Sequence, residues 1–455
     1  MVLTALLHPF LGAHTSLRRQ LMTATAGSLA LALSSKLLML LTSVLLARWM
    51  GVENYGVYVT AMALALLLTV PTGLGLPTLV IRLLASYRVH DQWGLMRGLL
   101  IRGNQAVLCA SLLTAAIAAS VIWLLSFHFS PDKLASFSLA LVLIPLVSLG
   151  AMRSAALRGL HHVILGQLPE SVIMPALFLG LSGAWWMVNG DGALSPQMAI
   201  AARVIATGAA FLVGALLLMR RIPAPVRHAA PQYELRRWTQ STLPLLFIAS
   251  INIVMMQTDV LMLASLRGSE SAGIYQAATR GAELVAFSLV IVNMAIQPSI
   301  ARLFASGDMI RLQRMATLSA RAAVAMALPL ALVMIFWGEP IMRSVFGEAF
   351  GRGAIALAIL STAQLVNAFT GPANSLLDMT GHQDDTLKAM IAGVLANVVL
   401  NALLIPRWDI AGAATATGTS LILWNVLLVV LVHRRLGLDA IIFRGKRIPM
   451  GQGKV

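Results

Sequence analysis

The chain has 455 residues, of which 58% are hydrophobic and only 11% charged, with a net charge of +16 and a single cysteine. A soluble domain carries about twice that charged fraction, so lipid and not water has to be the main solvent, because apolar runs of spanning length continue to residue 433. The basic excess is not one patch, which argues against a nucleic-acid partner, and the lone Cys109 excludes an internal disulfide or a multi-cysteine metal site.

A bilayer core of about 30 Å takes around 20 helical residues. Read on that scale, spans are expected near 22–48, 56–85, 100–127, 134–158, 164–189 and 197–219, then near 241–266, 272–304, 316–338, 351–377, 386–405 and 411–433. The expected fold is an all-α membrane protein with about twelve transmembrane helices, in two parallel six-helix bundles around a central cavity. Lys and Arg alternate between connections, as the positive-inside rule requires. One set of connections holds Arg18 and Arg19; Arg82, Arg88, Arg97 and Arg102; Arg153 and Arg158; and Arg302, Arg311, Arg314 and Arg321. The tail adds Arg434, Arg435, Arg444, Lys446, Arg447 and Lys454 to the same side, so both termini are expected to be cytoplasmic. The opposite connections hold only Arg48, Lys133, Arg267, Arg343, Arg352 and Arg407.

Between the sixth and seventh spans, RRIPAPVRHAAPQYELRRWTQ (Arg220 to Gln240) has three prolines, five arginines and no apolar period, which marks a linker. It divides the chain into a first half (1–219), a second half (241–433) and a basic tail (434–455). After the first span comes Gly51-Val52-Glu53-Asn54-Tyr55-Gly56-Val57-Tyr58, and after the seventh comes Gly268-Ser269-Glu270-Ser271-Ala272-Gly273-Ile274-Tyr275. Both read G-x-E-x-x-G-[VI]-Y. Farther on, Arg82-Leu83-Leu84-Ala85 matches Arg302-Leu303-Phe304-Ala305, with Pro77 and Pro298 shortly before each arginine. An even number of spans per half makes the copies parallel, and such repeats place a substrate between them. Locally the motif reads as a tight turn, with glycines for unusual φ and an acid near a helix start.

Ionisable groups within spans are costly and mark candidate sites. Lys36 lies midway along the first span, Arg280 about two turns into the eighth, and Arg203 near the outer end of the sixth, where snorkelling or a local pair is the expected reading. These are the candidate cavity cations. Glu283, three residues after Arg280, shares its helix face and can neutralise it. Asp259 in the seventh span is a candidate for Na⁺ or H⁺ coupling, or a structural partner of Arg280, the pair being the preferred reading. Asn374 and Asp378 are candidate gate or cap residues. Asn397 and Asn401, four apart, read as interhelical hydrogen-bonders, and Glu170 as an acid at a helix start. Pro71, Pro77, Pro145, Pro169, Pro175, Pro298 and Pro329 are expected to kink spans. No metal or organic cofactor is implied; His161-His162 reads as an interfacial pair. There is no G-x-x-x-x-G-K-[ST], H-E-x-x-H or G-x-S-x-G, so no ATPase, zincin or serine-hydrolase chemistry is expected by those routes.

The run LLARWMGVENYGVYVTAMALALLLTVPTGLGLPTLVIRLLA (Leu45 to Ala85) resembles the N-terminal hallmark of Wzx-type oligosaccharide flippases. These are polysaccharide biosynthesis proteins of the multidrug/oligosaccharidyl-lipid/polysaccharide exporter superfamily. The stretch from Asp259 through GSESAGIYQAATRGAELV is similar to the matching segment of their second half. The resemblance implies two six-helix bundles forming a V, and a cavity open alternately to each side. The cargo implied is an undecaprenyl-diphosphate-linked oligosaccharide moved across a bacterial inner membrane for surface polysaccharide or lipopolysaccharide synthesis, with polymerase and glycosyltransferases as pathway partners. A multidrug or cation antiporter of the same superfamily is the alternative. It is disfavoured by a mid-membrane lysine and only five tyrosines. A membrane-embedded glycosyltransferase or ligase would want a large extracytoplasmic loop, and every outside connection here is short.

Overall fold

The computed structural model describes residues 15–128, 130–189 and 194–439, with side chains from Ala30 on, those of His128, Leu243, Pro244, Ile248, Ala249 and Asn252 excepted. Arg18, Arg19 and the tail residues Arg444, Lys446, Arg447 and Lys454 therefore fall outside the described side chains. The described residues form helices joined by short connections. In the first half these are α1 (Thr15–Leu68), α2 (Val70–Gly73), α3 (Leu76–Val89), α4 (Trp93–Leu124), α5 (Pro131–Ala140), α6 (Leu143–Gly159), α7 (Val163–Leu168), α8 (Met174–Asn189) and α9 (Pro196–Arg221). After α10 (Ala224–His228) come α11 (Leu235–Arg267), α12 (Ser269–Ala305), α13 (Met309–Phe336), α14 (Gly338–Ile341), α15 (Ala354–Phe369), α16 (Ala373–Met379) and α17 (Gln383–Leu436).

Local sequence explains where several begin and break. Ser195 caps α9 through its Oγ and Pro196 fills the first helical position; Asp308 caps α13 by accepting from the Arg311 amide at 3.0 Å. Pro71 and Pro77 open α2 and α3, so the second expected span is interrupted at its centre. Pro169 opens a π-helical turn, Pro169–Ile173, between α7 and α8. Pro298 and Pro329 lie inside α12 and α13.

By length and composition, nine helices among the described residues can cross a membrane, against about twelve expected. Two reasons account for the lower figure. Helix α1 runs through the first expected span and into the first half of the second with one non-helical residue, Gly51, and α17 runs through the last two with one at Asp409. Helix α11, which carries charged and amide side chains along its 33 residues, is not among the nine.

The two G-x-E-x-x-G-[VI]-Y segments fold alike. Gly51 (φ 73°, ψ 172°) and Gly268 (φ 96°, ψ 167°) adopt the same backbone conformation, which is essentially closed to residues with a Cβ. The second glycines then meet. A Cβ on Gly56 would overlap the Ser269 carbonyl, and one on Gly273 would stand 2.9 Å from Gly56 Cα. Helices α1 and α12 therefore cross with backbone against backbone at this motif end of the molecule.

The buried residues divide accordingly. At the motif end one continuous core joins the halves, with Tyr55, Tyr58 and Phe178 packed alongside Tyr275, Phe346 and Phe350. At the opposite, linker end there are two separate cores. One holds Leu79, Leu84, Tyr87, Met96 and Trp238; the other holds Ile300, Leu312, Leu376, Leu377, Leu428 and Val432. The linker is strapped to the first half. Gln232 N–H donates to Gly94 O (2.9 Å), Arg97 to Ala229 O (2.8 Å), and Trp238 Nε1 to Tyr87 Oη (3.0 Å). Helix α11 thus starts on the first half and ends on the second, where the Arg267 guanidinium binds the Ile405 and Pro406 carbonyls.

Candidate functional site

Lys36 and Arg280 come from different halves and converge on one acid. Lys36, on α1 before its bend, places Nζ 3.3 Å from Glu283 Oε2; Arg280 Nη1 lies 2.7 Å from Glu283 Oε1. On α12 the spacings 276, 280 and 283 put three side chains on one face. In the orientation its neighbours require, the Gln276 amide oxygen accepts from Arg280 Nε (3.0 Å) and Nη2 (2.7 Å). Arg280 Nη1 also stands 3.7 Å from Met39 Sδ on α1. The expected Arg280–Glu283 pair is present, and its extension to Lys36 is a product of the tertiary packing. The three side chains are 44%, 20% and 29% exposed for Lys36, Arg280 and Glu283, so the contact is not enclosed by protein. It is a junction carrying two positive charges to one negative.

Arg203 stands apart from this trio. Its guanidinium lies 5.2 Å from the centroid of the buried Phe178 ring, on which Tyr58 stacks at 6.1 Å. The Tyr58 and Tyr55 rings are 6.5 Å apart, and the Tyr55 hydroxyl pairs with Ser43 Oγ at 2.6 Å. This cation–π contact is the local pairing expected of Arg203.

Asp259 is buried, 5% exposed, and the expected ion pair with Arg280 is not formed. Its Oδ1 accepts from Asn397 Nδ2 (2.9 Å) and Asn401 Nδ2 (2.6 Å), and its Oδ2 from the Tyr275 hydroxyl (2.8 Å) and Thr417 Oγ1 (2.6 Å). Helix geometry is the reason. Tyr275 and Arg280 are five residues apart on α12, about 140° around its axis, so Tyr275 faces Asp259 while Arg280 faces α1. Among the described residues no Lys, Arg or His pairs with Asp259. A buried carboxylate held by four neutral donors carries a charge with no counter-ion, which is costly in this setting. Asn397 and Asn401 were legible from their spacing as one face of a helix. Tyr275 carried only the signal of closing the repeated motif, and Thr417 carried none.

Asn374 Nδ2 donates to Asp378 Oδ2 at 3.1 Å, one turn along α16. Among the described residues, neither side chain bonds to the first half, so the geometry gives this pair the look of a cap within the second half and no contact of a gate between halves. Glu170 does more than sit at a helix start. It lies 2.8 Å from Nη2 of Arg153, a buried guanidinium that also donates to the Ala210 carbonyl at 2.9 Å. No sequence spacing connects Arg153 to Glu170.

Helices of this length and number, sharing one core at the motif end and dividing into two at the linker end, define a multi-pass all-α membrane protein. An inward-facing multidrug resistance MATE family transporter of the MOP superfamily superposes with TM-score 0.71 at 13% identity, covering 89% of this chain and 94% of that one. Lipid II flippase MurJ in an inward closed conformation superposes with TM-score 0.68 at 15% identity, covering 89% and 87%. A model of the polysaccharide biosynthesis protein family matches residues 23–304, and a MatE model matches residues 244–403. The chain belongs to the polysaccharide biosynthesis protein family, within the MOP superfamily of transporters. The "Probable flippase AglR" of Haloferax volcanii is 24% identical over 174 residues, 38% of this chain and 36% of that one. An uncharacterized membrane protein of Methanocaldococcus jannaschii, MJ1068, is 30% identical over 89 residues, 20% of this chain and 18% of that one. The matched stretches thus span about a third or less of the length of these curated relatives.

Proposed function

We propose that the protein is a flippase that moves an undecaprenyl-diphosphate-linked oligosaccharide across the bacterial inner membrane for surface polysaccharide synthesis. In this reading the chain has twelve spans, as two parallel six-helix bundles (1–219 and 241–433) joined by the linker 220–240, with the basic tail 434–455 and both termini cytoplasmic. The motif end then faces outward and is closed, while the cavity between the bundles opens toward the linker end. The observation that carries the reading is the convergence of Lys36 and Arg280, one from each half, on a partly exposed junction with excess positive charge. A diphosphate suits such a pair, because phosphate oxygens take charge-assisted hydrogen bonds and the guanidinium fork binds them two at a time. Arg203 supplies a further positive charge beside the Phe178 ring. The similarity to AglR, a probable flippase, and to MurJ, a lipid II flippase, supports the cargo class. Adjacent glycosyltransferases and a polymerase would make and consume the cargo.

Coupling to a Na⁺ or H⁺ gradient belongs to Asp259 on this proposal. Its carboxylate, two asparagines, a tyrosine and a threonine can bind a proton or Na⁺. Enclosure by four donors does not suit an organic cation, which weighs against the drug-antiporter alternative. The test is genetic and chemical. Chains with Lys36→Ala, Arg280→Ala or both, confirmed in the membrane at wild-type level, are expected to deplete surface polymer and accumulate lipid-linked intermediate. Normal polymer from the double variant would refute the cavity-cation reading.

A further inference from the structure

Glu283 has no obvious place in a site for an anionic cargo. An acid between the two cations repels a diphosphate, yet it is the one acid among the described residues that pairs with either of them. It also makes the only ion pair between the two halves among those residues. The remaining contacts across the junction are of other kinds. Gly56 and Gly273 pack backbone on backbone, the Tyr55 ring meets Phe350 edge-on at 5.9 Å, and Arg48 donates to the Ser344 and Val345 carbonyls. Of these only Arg48 carries a charge, and its partners are backbone carbonyls at the motif end, with no counter-ion between the halves to displace. The Lys36–Glu283 contact has one, and it is not enclosed by protein: Leu33, Leu37, Met39 and Leu41 around Lys36 are all exposed. Beyond Leu41 the same helix enters the shared core, where Leu46 and Ala47 are buried.

We propose that Glu283 is an internal counter-anion that latches α1 to α12 while the site is empty and is displaced by the anionic head of the cargo. The inference rests on the reading of the cargo as a lipid diphosphate. One Glu283 oxygen serves each cation, so the carboxylate occupies the positions that two phosphate oxygens would take. A diphosphate brings more charge than a carboxylate and binds both cations without needing the two helices held in register. Binding therefore replaces the direct Lys36–Glu283 tie with a longer one through the diphosphate, and the loading of cargo and the loosening of the motif end become a single event. Glu283 lowers affinity for the cargo and in exchange keeps the empty transporter closed.

The test uses the full chain in nanodiscs with Cys109→Ser and spin labels at Glu53→Cys and Glu348→Cys, exposed motif-end positions of opposite halves. Undecaprenyl diphosphate is the probe, with binding and label separation read on the same samples. Wild type should bind the probe and shift to longer separations. Glu283→Gln should show the long separations without probe and bind it about tenfold more tightly. The exchange Lys36→Glu/Glu283→Lys should restore the short separation in the empty protein and abolish the probe's effect. Wild type that responds while Glu283→Gln shows neither change overturns the latch and leaves the cargo reading standing. Probe that neither binds nor shifts the wild type overturns both.

Discussion

Lys36 and Arg280 do different work although both are cations. Arg280 is held on two sides, by Glu283 and Gln276, and presents a fixed fork; Lys36 is half exposed and meets one oxygen. Losing a charge-assisted hydrogen bond costs about 1.5–3 kcal/mol, so Arg280→Ala should weaken binding of an undecaprenyl diphosphate roughly 10- to 100-fold. Arg280→Lys should recover only part of that, because the planar fork is lost while the charge is kept. Titration of the probe against purified protein checks both. At Asp259 the prediction concerns the ion. Asp259→Asn removes the charge a proton or Na⁺ would neutralise, so transport should lose its dependence on the gradient while the protein stays folded. Flux in vesicles with and without an imposed Na⁺ or pH gradient decides it; a variant that keeps the wild-type dependence would remove Asp259 from coupling.

At the scale of elements, the twice-used turn is the feature with the sharpest consequences. Gly51→Ala or Gly268→Ala forces a Cβ into a backbone region reserved for glycine, at a cost of about 1–3 kcal/mol, readable as a lowered melting temperature. Gly273→Ala acts differently, because its backbone is helical. The new methyl would meet Gly56 Cα at 2.9 Å, so α1 and α12 must part at the motif end. The expected outcome is a shift toward longer separations between labels at Glu53 and Glu348, more than a loss of fold. The buried Arg153 gives a third handle. Glu170→Ala strips its counter-charge, and because Glu170 is half exposed the loss should fall below the about 3–5 kcal/mol typical of a fully buried pair. Thermal unfolding in detergent measures it.

For the molecule as a whole, the unequal distribution of cores is the organising fact. The halves share one core at the motif end and have separate cores at the linker end, with α11 strapped to the first half at one end and fixed to the second at the other. Rocking about a central site is how parallel-repeat transporters alternate. The proposed orientation has its own test. A cysteine at Glu53 should react with a membrane-impermeant maleimide added to spheroplasts, and one at Tyr233 in the linker only after the membrane is opened. The reverse pattern would invert the topology.

Much of this was legible in residue types alone. Apolar runs and alternating charge specify a multi-pass helical protein, because every buried backbone group in lipid has to be satisfied within its own helix. The glycine turn was readable too, since a repeated Gly at a strained backbone position leaves a local signature. Span boundaries were readable as well: the bends at Gly51 and Asp409 fall in the expected gaps 48–56 and 405–411, although the helix runs on through each with a single non-helical residue. What lay outside the sequence was partnership. Asp259 was expected to seek Arg280, but a helix turns 100° per residue, and the five-residue step from Tyr275 to Arg280 sends the two side chains to different neighbours. The same rotation brings Arg280 and Glu283 onto the face that meets Lys36. Which charges exist in the membrane was a property of the chain, and which of them touch was decided only when the two halves packed against each other.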